Sequence, residues 1–145
     1  MIEEIRVVGS LGILALNLPW QRQTSAAEWL HDRVAISMIE QRLSAMAAVI
    51  HQVIPGSEVR LFGSRARGQA GPDSDIDLLI TAPDSWLEHH HRFAVLNDLW
   101  DQLAQADVSL DLLLYSQSEC EARRHWRSHV IGRAYREGKL LNGAV

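Results

Sequence analysis

Cysteine is almost absent. Cys120 is the only one in 145 residues, so no intramolecular disulfide can form, and a reducing, cytoplasmic setting is the expectation. Lysine is as scarce: Lys139 stands alone among 14 basic side chains, and the rest are arginine. Positive charge is short overall, since 18 acidic residues leave a formal net charge of −4. That balance argues against a protein that coats nucleic acid, and no nucleic-acid partner is expected. Long apolar runs are missing. The longest, Val7 to Trp20, spans 14 residues and is broken by Gly9, Gly12, Asn17 and Pro19, whereas a membrane-spanning helix needs about 20. No membrane association is expected. An export signal would want a basic start, and Glu3 and Glu4 outweigh Arg6. Internal repeats and low-complexity linkers are also lacking, which leaves one domain's worth of chain.

What is present is ordinary globular composition, 47% hydrophobic and 22% charged, enough to bury roughly two-thirds of the unfolded surface. Charge is unevenly spread. Residues 1–120 carry 8 basic against 16 acidic side chains, and residues 121–145 carry 6 against 2. Residues 1–24 are read as an extension of unknown role, with short strands over Ile5 to Val8 and Leu11 to Leu18 or pairing with another subunit as options. Residues 25–145 are read as a single domain.

Within that domain Ile36, Ile39, Leu43, Met46, Ile50 and Val53 recur at spacings of 3 and 4, the stripe of an amphipathic helix starting near Asp32. Pro55-Gly56-Ser57 ends it. Strands are expected at Glu58–Phe62, Asp75–Thr81 and Val108–Tyr115, with Pro72 and Pro83 bounding the second. A helix is expected over Ser85–Asp107, with Trp86, Phe93, Leu96, Trp100 and Leu103 on one face. Another is expected over Ser118–Glu137, capped by Ser118 and followed by Gly138, with Ala122, Trp126, Val130 and Ala134 as its face. This order implies an α/β (α+β) fold, a small mixed sheet packed against helices.

The chemistry is concentrated between Leu61 and Ile80. Gly63 and Ser64 leave a strand into a tight turn, where backbone N–H groups can hold an anion and a side chain on Gly63 would block close approach. Ser64 adds a hydroxyl donor. Ten residues separate Ser64 from Asp75. Alternation along a strand puts Asp75 and Asp77 on one face and Ile76 and Leu78 on the other. Two bare carboxylates roughly 7 Å apart repel, whereas a divalent cation between them removes the conflict, and hard oxygen ligands suit Mg²⁺. Asp111 is the only charged residue in an apolar strand and is costly there unless paired or metal-bound. If its strand lies beside that of Asp77, three carboxylates converge near a phosphate-holding turn, the layout of two-metal phosphoryl transfer.

Gly63-Ser64, ten residues, Asp75-Ile76-Asp77 and a later strand Asp111 resemble the nucleotidyltransferase (DNA polymerase β-like) superfamily. The wording Gly-Ser-Arg-Ala-Arg-Gly over residues 63–68 resembles its minimal nucleotidyltransferases (MNT). The resemblance implies a nucleotidyltransferase fold, two Mg²⁺ ions, and transfer of a nucleoside monophosphate from an NTP, ATP foremost, to a hydroxyl. Asp75 and Asp77 would ligate both metals. Asp111 would ligate the catalytic metal and help deprotonate the acceptor. Gly63 and Ser64 would hold the triphosphate. Nothing carries over to residues 1–24. Arg65 and Arg67 have two readings, contact with nucleotide phosphates, or neutralisation of the carboxylate cluster or plain exposure to solvent. Asp73 reads as a turn residue.

Other candidates have plain readings. His89-His90-His91 cannot chelate one ion from a helix, because consecutive residues point about 100° apart. His125 and His129 have the i, i+4 spacing of zinc sites, but nothing completes the set. Trp20, Trp29, Trp86, Trp100 and Trp126 read as core and interface residues. Cys120 is assigned no catalytic role. Arg123, Arg124, Arg127, Arg133, Arg136 and Lys139 form a charged face, with docking of an acidic partner or steering of nucleotide as the other readings.

Three acceptor hypotheses follow. One is a protein partner. The resemblance implies a small helical protein of the HEPN (higher eukaryotes and prokaryotes nucleotide-binding) type, in a toxin–antitoxin pair where a toxin tyrosine receives AMP. The second is a small molecule such as an aminoglycoside. The third is an antitoxin that occludes its partner without chemistry. The chain has no length to spare for an acceptor-binding domain, which favours an acceptor brought by another protein; a homo-oligomer stays open.

Overall fold

A computed structural model of the chain describes residues 26–68, 74–105 and 108–141. The N-terminal extension with its expected strands, Trp20, Pro72, Asp73 and the expected helix end at Asp107 lie outside the described residues. Helix α1 runs Ala26–Val53, then strands β1 (Glu58–Phe62) and β2 (Ile76–Ala82), helices α2 (Asp84–Glu88) and α3 (Arg92–Leu103), strand β3 (Leu110–Ser116), helices α4 (Gln117–Arg123) and α5 (Val130–Glu137), and strand β4 (Lys139–Leu140).

The four strands form one mixed sheet in the order β3-β2-β1-β4. The β2–β3 pair is parallel, and β1 is antiparallel to both β2 and β4. Alternation sorts the side chains between two layers. Val59, Leu61, Ile76, Leu78, Ile80, Leu110, Leu112 and Leu114 face α1 and α3, where Leu43, Ile50, Leu96, Leu99 and Trp100 complete the main core. Phe62, Leu79 and Leu113 face the other way, onto Cys120 of α4 and Ile131 and Ala134 of α5. The expected α/β architecture, a mixed sheet flanked by helices, is the one observed.

The expected helix over Ser85–Asp107 is two helices, and the histidine triplet is the reason. The Nδ1 atoms of His89 and His90 sit 2.7 and 2.6 Å from the carbonyls of Ser85 and Trp86, four residues back. The ring of His90 stacks on Trp86 with centroids 3.7 Å apart. These bonds occupy the last carbonyls of α2, and His91 then caps α3 by accepting from the Ala94 N–H. Phe93 is exposed and drops out of the buried face, which is Val95, Leu96, Leu99, Trp100 and Leu103.

The expected helix over Ser118–Glu137 is also two helices. Its cap is Ser116, not Ser118, in a reciprocal capping box with Glu119, while Ser118 donates from its N–H and hydroxyl to the Asp84 carboxylate. Residues 124–129 turn back so that the Trp126 carbonyl lies against Gly132, where any Cβ would overlap it. His129 caps α5, accepting from the Ile131 N–H at 3.1 Å, so His125 and His129 share no helix face. The face Ala122, Trp126, Val130, Ala134 therefore does not exist, and Trp126 is exposed. Several of the basic side chains near the C-terminus are engaged locally: Arg124 stacks on Tyr135 at 4.8 Å and pairs with Glu121, and Arg136 donates to the Arg127 carbonyl at 3.0 Å.

Helix α1 is already helical at Ala26, ahead of the expected start. Alanine and leucine favour that extension, but the core does not follow it. Leu43, Met46, Ala47 and Ile50 are buried, whereas Trp29, Leu30, Val34, Ile36 and Met38 are each more than half exposed. No helix among the described residues is long and apolar enough to cross a membrane.

Candidate active site

The end of β1 and the beginnings of β2 and β3 lie at the same end of the sheet. There the register sets Phe62 opposite Asp77 and Asp77 opposite Asp111. Neighbouring strands run about 4.8 Å apart, so the two carboxylates rise side by side from adjacent strands. Both are half-buried on the face that α4 and α5 cover, while Ile76, Leu78, Leu110 and Leu112 point into the main core. Asp75 precedes β2 with the same parity as Asp77. Its successor Ile76 donates to the Ser109 carbonyl at 2.8 Å, which fixes β2 against β3 at the point where the carboxylates begin.

Gly63 brings the turn onto this cluster. Its φ of +75° is in the left-handed region that glycine adopts at no steric cost. A Cβ there would also overlap Oδ2 of Asp77 and lie 3.2 Å from its Cγ. The positive φ favours glycine by itself, and any Cβ would in addition displace the Asp77 carboxylate. The turn closes through Arg67 N–H to the Gly63 carbonyl at 3.2 Å and Gly68 N–H to the Arg65 carbonyl at 3.4 Å, and Ala66 is buried beneath it. Ser64 stands half-buried immediately after Gly63.

The two arginines of the turn part company. Arg65 folds back onto the carboxylate side, with Nε and Nη2 donating to the Ser74 carbonyl at 3.1 and 2.6 Å. Burial and the nearby Arg42 of α1 pull its guanidinium below its ordinary pKa, and Asp75 and Asp77 act against that pull. It remains charged, as arginine does in proteins. Arg67 points to α5 instead and pairs with Glu137 at 2.9 Å. Arg42, Ser74 and Glu137 carry no local sequence signal for these roles. Each acts through a contact distant in sequence, and the acceptor on Ser74 is backbone.

As they stand, the side chains of Asp75, Asp77 and Asp111 do not close on a single point. Among the described residues no group of three or more His, Cys, Asp or Glu side chains does. Like charges at this spacing repel. The chemistry of the donors nonetheless suits a hard cation. Asp77 and Asp111 offer hard carboxylate oxygens from directly paired positions on adjacent strands, both half-buried at the same end of the sheet. One or two carboxylates plus substrate phosphates are the usual protein contribution to a Mg²⁺ site.

A search of curated proteins finds no match to the chain. The family of the nucleotidyltransferase domain matches residues 43–133, which is 91 of the 145 residues. The matched segment contains the Gly63 turn, both arginines and all three carboxylates, and runs from the buried part of α1 into α5. With more than half its length accounted for in this way, the chain belongs to the nucleotidyltransferase domain family.

Proposed function

We propose that this chain is a Mg²⁺-dependent nucleotidyltransferase that moves AMP from ATP onto a tyrosine hydroxyl of a small HEPN-type helical partner, and so acts as an antitoxin. The observation that carries the catalytic part is the pairing of Asp77 with Asp111 beside a glycine turn so close that a Cβ on Gly63 would overlap the Asp77 carboxylate. Asp75, Asp77 and Asp111 would hold two Mg²⁺ ions, which when bound neutralise triphosphate charge and acidify the acceptor hydroxyl. Gly63 and Ser64 hold the triphosphate through backbone N–H groups and the serine hydroxyl. Asp111 accepts the proton of the acceptor hydroxyl. That oxygen then forms a bond to the α-phosphorus as the bond to the bridging oxygen breaks, and pyrophosphate leaves.

The protein acceptor is supported by surface rather than by the site. Trp29, Leu30, Val34, Ile36 and Met38 put five large apolar side chains into solvent within ten residues of α1, a concentration typical of a contact surface. The test is incubation of the chain with a HEPN-type protein, Mg²⁺ and radiolabelled ATP. Label should appear on the partner's tyrosine and require Asp75 and Asp77. Label on an aminoglycoside and none on the partner would replace the protein acceptor with a small molecule. Silencing of the partner by the Asp75→Asn, Asp77→Asn variant without ATP would show that occlusion alone suffices.

A further inference from the structure

We propose that Arg65 is a positioning residue, whose guanidinium fork on the Ser74 carbonyl sets where Asp75 and Asp77 stand relative to the Gly63 turn; this rests on the nucleotidyl-transfer reading of the site. Ser74 is the residue before Asp75, and its carbonyl receives both the Nε and the Nη2 bonds of Arg65. On the other side of Asp75, the Ile76 N–H is held by the Ser109 carbonyl. Asp75 is thus suspended between two anchored peptide groups, one tied to the phosphate-holding turn and the other to the strand that carries Asp111. Asp77 follows two residues on, and its carboxylate occupies the space that a Cβ on Gly63 would take. A turn that moved without this tie would lose its alignment with the carboxylates. The Nε–Nη2 edge of the guanidinium is committed to a backbone carbonyl, so the edge that does the positioning is not the one a phosphate would use.

The sign of the effect on cation binding separates positioning from bulk charge. A guanidinium that merely sits near carboxylates opposes a cation by repulsion, so its removal would tighten binding. A guanidinium that aligns the ligands favours the cation, and its removal weakens binding. Mn²⁺ titration of the full chain without nucleotide, followed by electron paramagnetic resonance, reads this directly. Arg65→Ala is expected to weaken Mn²⁺ roughly 10–100-fold, the range for groups that orient metal ligands. Arg65→Lys is expected to weaken it too, because a single ammonium keeps the charge without the fork. In transfer assays at saturating Mg²⁺ both variants should lose kcat and keep the KM for NTP. Hydrogen exchange at the Ile76 amide should accelerate in both, a readout that needs neither metal nor substrate.

Tighter Mn²⁺ binding in Arg65→Ala, full rescue by Arg65→Lys, or a raised NTP KM with unchanged kcat would each overturn the assignment. So would unchanged exchange at Ile76. Were the nucleotidyl-transfer reading itself wrong, the wild-type chain would neither bind Mn²⁺ nor transfer label, while the Ile76 amide would still respond to Arg65. The two failures are therefore distinguishable.

Discussion

Gly63 is where the local chemistry is most constrained. Any L-residue there must hold a positive φ, at about 1–2 kcal/mol, and must also push its Cβ into the Asp77 carboxylate. Gly63→Ala is therefore expected to lower stability by at least about 1 kcal/mol in denaturant titration and to abolish transfer, because relief of the overlap moves Asp77. Asp77→Asn behaves differently. It removes a charge without changing shape, so transfer should fall about 10²–10³-fold or more while the melting temperature of the metal-free chain holds or rises. A variant that melts lower and keeps its activity would contradict the reading of Asp77 as a carboxylate serving a cation. Cys120 fits the remaining residue-scale picture. Burial pushes its thiol above the ordinary cysteine value, against hydrogen bonding with Thr81 and Tyr135, so it is an inert packing residue.

At the scale of elements, the junction of β3 and α4 carries a pH signature. Burial opposes ionisation of Glu119, yet the Ser116 N–H and Arg92 outweigh it and hold the carboxyl below the usual range. Asp84, bonded by the Ser118 hydroxyl and N–H, is lowered as well. A carboxyl with a depressed pKa in the folded state contributes stability above its unfolded value and loses it as pH falls through the folded value. Glu119→Gln should therefore melt below wild type at neutral pH, and the gap should close on acidification below the ordinary carboxylate range. Ser116→Ala, which removes the other half of the box, should cost about 1 kcal/mol. Scanning calorimetry across pH checks both. A gap independent of pH would mean that shape, not charge, holds α4 in place.

At the scale of the molecule, the outer half of α1 is out of balance with the rest. The sheet buries side chains on both faces, but Ala26 to Met38 project beyond that core. Helices gain most of their stability from tertiary packing, so this half is the part that a partner would complete. Leu30→Glu with Val34→Glu should leave the melting temperature of the isolated chain nearly unchanged, since neither side chain is buried. The same pair should weaken association with the proposed HEPN-type partner at least about tenfold, the scale of one lost hot spot. Calorimetry of the mixture measures the second effect. Undiminished affinity would move the docking surface elsewhere, for example to the exposed Trp126.

Much of this was legible along the chain because the signals were local. Strand alternation separated Asp75 and Asp77 from Ile76 and Leu78, the ten-residue spacing tied Ser64 to them, and a lone charge in an apolar run singled out Asp111. Proline and glycine after Val53 marked the end of α1 correctly. Helix periodicity misled over Ser85–Asp107 and Ser118–Glu137, because it counts apolar spacing and is blind to side chains that cap. His89, His90, His91 and His129 bond backbone groups where those helices break, and Ser116 moves the start of α4 ahead of Ser118. The match of Asp77 to Asp111 came from the register of a parallel pair. The same holds for Arg65, whose partner is the Ser74 carbonyl, and for Arg67, whose partner Glu137 is 70 residues away. The sequence by itself determined which residues carry charge and chemistry and which face of a strand they take, since alternation is a property of the local backbone. Only the tertiary structure decided which of them meet, because strand order, register and loop closure depend on contacts between distant parts of the chain.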